Sequence, residues 1–284
     1  MRPEANEVIG IIGAGVVGGS LAEWLDEQGH DVRVYDPPKG HDNPSALDDA
    51  CVVFIAVPTP YTNGIGFDDR QLLSAVASVP GSKVIVIKST VLPGTTDLLQ
   101  SRYPQHRFLF SPEFLREATA REDFLAPDRQ IVGRAARASE SDAQCVMALL
   151  PMAPFERICS AAEAEMAKYV ANSFLAIKVS YANEVFDLCE RLRIDYTQVR
   201  DMVAADQRIG ASHMEVFDSG YRGYGGKCLP KDSKALIDLA RSSGVDLQVL
   251  AAADRVNAEL SGSVAPVTQL RVVPQETDIE ERAA

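Results

Sequence analysis

Cysteine is sparse in this sequence, and spacing pairs none of it. The five residues, Cys51, Cys145, Cys159, Cys189 and Cys228, are odd in number and set far apart, with no C-x-x-C. The four histidines are scattered without an H-E-x-x-H. Neither a disulfide framework nor a zinc site is indicated, and no metal is expected. Basic residues are also in deficit: 28 Lys and Arg stand against 40 Asp and Glu, for a net charge of −12. That argues against broad binding to nucleic acid or to an anionic membrane, but leaves room for small anionic ligands held by local Arg and Lys. No apolar run approaches a membrane span, and the residues after Met1 lack the basic region and cleavage site of a signal peptide. A reducing, cytoplasmic setting is expected.

What is present is an ordinary globular mix, 46% hydrophobic and 24% charged over 284 residues, long enough for about two domains. Val8–Ile12 is a short apolar run, followed at once by Gly13-Ala14-Gly15-Val16-Val17-Gly18 and then by helical spacing through Leu21, Trp24 and Leu25. Strand, G-x-G-x-x-G and helix in that order form the dinucleotide fingerprint. Its glycines allow a tight turn and close approach of a pyrophosphate to the helix N-terminus. A second strand, Asp31–Asp36, ends in an acid where a carboxylate would bind ribose hydroxyls and favour NAD over NADP. Between Asp36 and the next strand, Cys51–Val57, there is room only for a loop and a stub. Further strands are expected at Lys83–Lys88, Phe108–Phe110 and, as the last, Arg129–Gly133, alternating with helices in a parallel, doubly wound sheet. Thr59, Ser89, Thr90 and Glu113 fall just past strand C-termini, the edge where open α/β sheets bind ligands. Taken singly, Thr90 reads equally well as a helix N-cap and Glu113 as an exposed first-turn acid.

The second half reads as helical. Ser160 with Glu163 fits a capping box at the start of a helix running to about Arg193. Met166, Val170, Phe174, Ile177, Tyr181, Val185, Leu188 and Leu192 mark an apolar stripe along it. A helix so long bridges domains or packs on a twin. Lys168 and Asn172 share another face, where they read either as ordinary surface residues or as site groups. Glycines at 220, 223, 225 and 226 lead into Lys227, Cys228, Pro230, Lys231 and Asp232. This reads as backbone closing on a ligand beside a thiol whose pKa the neighbouring lysines lower, or as a turn with an inert cysteine. Helices are expected from Asp195 to Ala205, Asp232 to Ser243 and Val245 to Leu260, with a disordered tail over 263–284.

Seven segments together resemble the UDP-glucose/GDP-mannose dehydrogenase family: Gly13–Gly18, Val57-Pro58-Thr59-Pro60, Ser89-Thr90-Val91, Ser111–Glu117, Ala167–Asn172, Asp206–Gly210 and Gly223–Asp232. The resemblance implies a shortened NAD-binding Rossmann domain over 1–150 and a helical central domain over 151–262 that carries the cysteine loop and forms a homodimer through its long helix. It implies an NAD-dependent four-electron oxidation of the primary alcohol of a nucleotide sugar or sugar phosphate. Cys228 would form a thiohemiacetal and then a thioester. Lys168, Asn172 and Asp232 would surround the reacting oxygen, and Glu113 would activate the hydrolytic water. Gly13, Gly15, Val16, Val17, Gly18, Asp36, Pro58, Thr59, Thr90 and Glu117 would line the cofactor. Glu113, Phe114, Leu115, Arg116, Lys168, Asn172, Tyr224 and Gly225 would hold the substrate, and Arg208 would reach that of a second subunit. Two departures stand out: no counterpart of the family's C-terminal nucleotide-binding domain, and a short segment between Asp36 and Val57. A dehydrogenase of a smaller phosphorylated sugar or nucleoside, and an inactive NAD-binding remnant, are the competing readings.

Overall fold

The computed structural model describes residues 7–62, 66–217 and 220–260, without the side chains of Pro44 and Glu117. The tail expected over 263–284 lies outside the described residues. In chain order the elements are β1 (Val8–Ile12), α1 (Val16–Glu27), β2 (Asp31–Tyr35), β3 (Val52–Ile55), β4 (Tyr61–Thr62), β5 (Gly66–Phe67), α2 (Arg70–Ala77), β6 (Val84–Ile87) and α3 (Thr95–Arg102). Then come β7 (Arg107–Phe110), α4 (Ala120–Leu125), β8 (Arg129–Arg134), α5 (Glu140–Leu149), β9 (Phe155–Ser160), α6 (Ala161–Leu192), α7 (Tyr196–Ala204), α8 (Leu229–Ser242) and α9 (Gln248–Leu260).

By contacts the chain forms two compact units. The first runs to Ile177 and resumes over Gly225–Asp254; the second takes Lys178–Tyr224 and continues from Arg255. The first unit is built on a seven-stranded sheet in the order β2-β1-β3-β6-β7-β8-β9. All neighbours are parallel except β7 and β8. β3 and β6 are buried at every residue, as parallel strands covered on both faces must be. Alternate side chains feed two cores. Val53 and Ile55 join Ile85, Ile87, Phe108 and Phe110 on one face, packed on Ala161 and Ala164 of α6. Val52 and Phe54 join Ile9, Ile11 and Leu109 on the other, packed on Leu21 and Leu25 of α1 and Val146 of α5.

The segment after β2 supplies only two short 3-10 turns, Pro37–Lys39 and Pro44–Leu47, so β2 stays at the edge of the sheet. At the other edge the sheet goes one strand further than expected. Arg129–Gly133 is not the last strand, because β9 pairs with β8 over six residues. Its sequence, FERICS, is largely exposed and lacks apolar alternation, so pattern alone misses it.

α6 starts on the expected box: the Ser160 backbone N–H donates to Glu163 Oε2 (2.9 Å) and the Glu163 N–H to Ser160 Oγ (3.3 Å). Its buried face in the first unit is Ala161, Ala164, Glu165, Lys168, Tyr169, Asn172, Ser173 and Ala176, at helical spacing. The apolar stripe is not that face: Met166, Val170, Phe174, Tyr181, Leu188 and Leu192 are 40–64% exposed. In the second unit Ala182, Cys189, Tyr196 and Val216 make a small core, with Phe186 edge-on to Tyr196 and Phe217. Among the described residues no helix is long and apolar enough to cross a membrane.

Candidate active site

The glycine turn joins β1 to α1. Gly13 has φ +91°, and a Cβ there would stand 2.7 Å from the Ala56 carbonyl oxygen; one on Gly18 would stand 1.9 Å from that of Gly13. Only hydrogen fits at either position. A Cβ on Gly15, the N-cap of α1, would meet nothing within 4 Å, and no side chain caps the helix. That open helix N-terminus fits a pyrophosphate. Val16 beside it is half-exposed. Asp36 Oδ2 accepts the Ala14 N–H (2.7 Å), which holds the carboxylate beside the turn as ribose binding requires.

The ends of β3 and β6 are tied together. The Thr59 hydroxyl donates to the Thr90 carbonyl (2.6 Å) and that of Ser89 to Val57 (2.7 Å). Pro58 is exposed. Thr90 is not an N-cap, because α3 begins at Thr95. The N-terminal N–H groups of α3 are met instead by the buried carboxylate of Glu165, which accepts from Gly94 N–H (2.6 Å), Thr96 N–H (2.9 Å) and Thr96 Oγ1 (2.6 Å).

Glu113 follows β7 and is largely buried rather than an exposed acid. Lys168, only 3% exposed, donates its ammonium to Glu113 Oε1 (3.0 Å) and to the Glu113 backbone carbonyl. The Leu115 N–H donates to Glu113 Oε2 (2.8 Å). Burial pushes the Glu113 carboxyl up, but Lys168, the Leu115 N–H and Lys88 outweigh it and hold the group below the usual carboxylate range. Phe114 has the Arg129 guanidinium 3.8 Å and the Lys168 ammonium 5.3 Å from its ring centre. One turn on from Lys168, Asn172 Nδ2 donates to Asp232 Oδ2 (2.6 Å), and Lys231 donates to Asp232 Oδ1 (2.6 Å).

Cys228 is the N-cap of α8, exposed as a residue while its sulfur is partly shielded from water. Its thiol lies within electrostatic reach of Glu113, Lys168, Asp232 and Lys231. The expectation that neighbouring lysines depress its pKa is corrected here. Burial and the Glu113 charge push the thiol up, against Lys168 and Lys231, and Lys231 is already paired with Asp232.

Other expected site residues have other partners within the chain. Arg116 turns to Asp123 (2.6 Å) and is exposed; Leu115 packs into the core behind the sheet. Arg208 lies in the second unit, exposed, on Asp206 (2.6 Å). Tyr224 is buried in that unit, where its N–H donates to Asn257 Oδ1 (2.7 Å), while Gly225 belongs to the first. The Glu117 side chain lies outside the described residues. Two buried groups at the site went unnoticed in the sequence: Glu165, and Lys88, whose ammonium donates to Ser111 Oγ (3.2 Å). The signal for Lys88 was a charge closing an otherwise apolar strand.

Residues 38–149 match the UDP-glucose/GDP-mannose dehydrogenase family, NAD binding domain, and residues 162–259 match its central domain. A UDP-glucose 6-dehydrogenase of Haloferax volcanii is 31% identical over 88% of this chain and 69% of its own length. One of Pseudomonas aeruginosa is 38% identical over 75% of this chain and 49% of its own length, so the chain spans about half of that relative. The solved UDP-glucose dehydrogenase of the hyperthermophilic archaeon Pyrobaculum islandicum superposes with a TM-score of 0.80 at 30% identity, over 91% of this chain and 70% of that one. With both domains matched in order along one chain, this protein belongs to the UDP-glucose/GDP-mannose dehydrogenase family.

Proposed function

We propose that this chain oxidises the primary alcohol of a nucleotide sugar, of the UDP-glucose type, to the carboxylate. One observation carries the reading. Lys168, Glu113, Asn172 and Asp232 are hydrogen-bonded in pairs within a single compact unit, and the Cys228 thiol is within reach of their charges. Bound at the glycine turn, NAD would accept one hydride in each of two oxidations. Lys168 presents positive charge to the substrate oxygen as its hydroxyl proton passes to a solvent water and it becomes an alkoxide, with Asn172 and Asp232 beside it. The Cys228 sulfur then adds to the aldehyde carbon while the thiol proton passes to the aldehyde oxygen. This adduct retains the intermediate, and its oxidation leaves a thioester. Glu113, kept ionised, takes a proton from water as that water attacks the thioester carbon; the C–S bond breaks and the sulfur recovers a proton. Cys228 is a free thiol, as the covalent step requires. The exposed stripe of α6 would pair two copies of the chain.

The test is NADH formed per substrate consumed, with UDP-glucose, a GDP-sugar and glucose 1-phosphate compared. Two NADH per nucleotide sugar is the expected result, with Cys228→Ser losing acid formation while NAD binding persists. Full acid formation by Cys228→Ser would overturn the covalent route. Two NADH per sugar phosphate with no nucleotide-sugar turnover would overturn the substrate class.

A further inference from the structure

Lys88 directly follows β6, whose four residues are all buried, and is itself only 4% exposed. The one hydrogen-bond partner of its ammonium among the described residues is Ser111 Oγ, on a fully buried side chain two residues before Glu113. An ammonium has three donors, and burying one is costly without compensating charge. The compensation here is Glu113. The cluster therefore holds two carboxylates, Glu113 and Asp232, and three ammonium groups, Lys88, Lys168 and Lys231; Lys231 is paired with Asp232, and the Cys228 thiol is within electrostatic reach of both carboxylates, Lys168 and Lys231. Lys88 and Lys168 are not equivalent. Lys168 grips Glu113 directly and is the group that a substrate oxygen would recruit. Lys88 is fixed at the end of a central strand and cannot follow.

We propose that Lys88 is a positioning residue, a fixed second counter-charge that keeps Glu113 ionised while Lys168 serves the substrate oxygen. Without it, Glu113 would lose its principal cation at the moment it must accept a proton, and its buried carboxyl would take one beforehand. The same residue leaves the cluster one positive charge in excess until an oxyanion forms there, which favours an anionic transition state. Burial, opposed by Glu113 and aided by Lys168, brings Lys88 down to about 8, consistent with a cation held at this position at some cost.

The catalytic consequence rests on the proposed oxidation; the electrostatic claim does not. The experiment therefore reads Glu113 directly, by carbon NMR of the chain labelled at glutamate carboxyls, with the Glu113 signal assigned by its loss in Glu113→Gln. Lys88→Met should raise the Glu113 titration midpoint by about one pH unit, and Lys88→Arg should return most of that shift. If the methionine variant does not fold, Lys88→Gln, which keeps a donor for Ser111, carries the same test. An unchanged midpoint overturns the proposal. With NAD and UDP-glucose, the acid limb of the kcat profile should move up with the midpoint while KM stays near its original value. A wild-type chain without turnover would count against the proposed reaction and leave the Glu113 shift readable. A chain that turns over with no shift in Lys88→Met would count against Lys88 alone.

Discussion

The reactivity of Cys228 depends on two neighbours of opposite sign. Burial comes first in pushing its thiol up and Glu113 second, while Lys168 is the first of the opposing groups. Alkylation by iodoacetamide should thus rise only above the ordinary thiol range. At pH 8, Lys168→Met should slow it about threefold and Glu113→Gln should speed it about threefold, each corresponding to roughly half a pKa unit. Equal rates in all three proteins would remove both groups from the surroundings of the sulfur. Spacing alone left Lys168, Asn172 and Glu113 open between surface and site. The joint occurrence of the family segments favours the site, and the structure buries Lys168 and Asn172 and most of Glu113. Lys88 was legible only as a charge at a strand end, because nothing local says which carboxylate will lie beside it.

α6 is the element on which the site is hung. Glu165 caps α3 and so holds the segment that carries Ser89 and Thr90, while Lys168 and Asn172 follow one and two turns later. A fully buried carboxylate with three hydrogen bonds supports three donors that would otherwise be stranded. Glu165→Ala is expected to cost about 2–3 kcal/mol in urea unfolding, from the lost cap and the space left behind. A loss below about 0.5 kcal/mol would show that α3 is capped by water without difficulty. The length, start and end of α6 were readable from its capping box and apolar spacing. Which face is buried was not, because periodicity identifies an apolar stripe and cannot say what covers it.

At the scale of the whole molecule, that stripe stays uncovered among the described residues. Phe174 and Tyr181, both more than 60% exposed, stand on it with Val170 and Leu188. Exposed aromatic and aliphatic groups in a row along one helix are costly in water and favour self-association. The proposed pairing through this stripe makes Phe174→Glu shift sedimentation from dimer to monomer, with the first unit still folded by circular dichroism. A wild-type chain that sediments as a monomer at high micromolar concentration would defeat the pairing.

The sequence by itself determined the dinucleotide turn, strands β1–β3 and β6–β8, the long capped helix and, through the joint occurrence of seven segments, the family. Those features are local: turn chemistry, two-residue or 3.6-residue periodicity, and motif spacing. Only the tertiary structure decided the added edge strand β9, the buried polar face of α6, the raised thiol and the shared charges of Lys88, Glu113 and Lys168. Each depends on groups far apart in the chain meeting where water is excluded, and sequence separation carries no record of that.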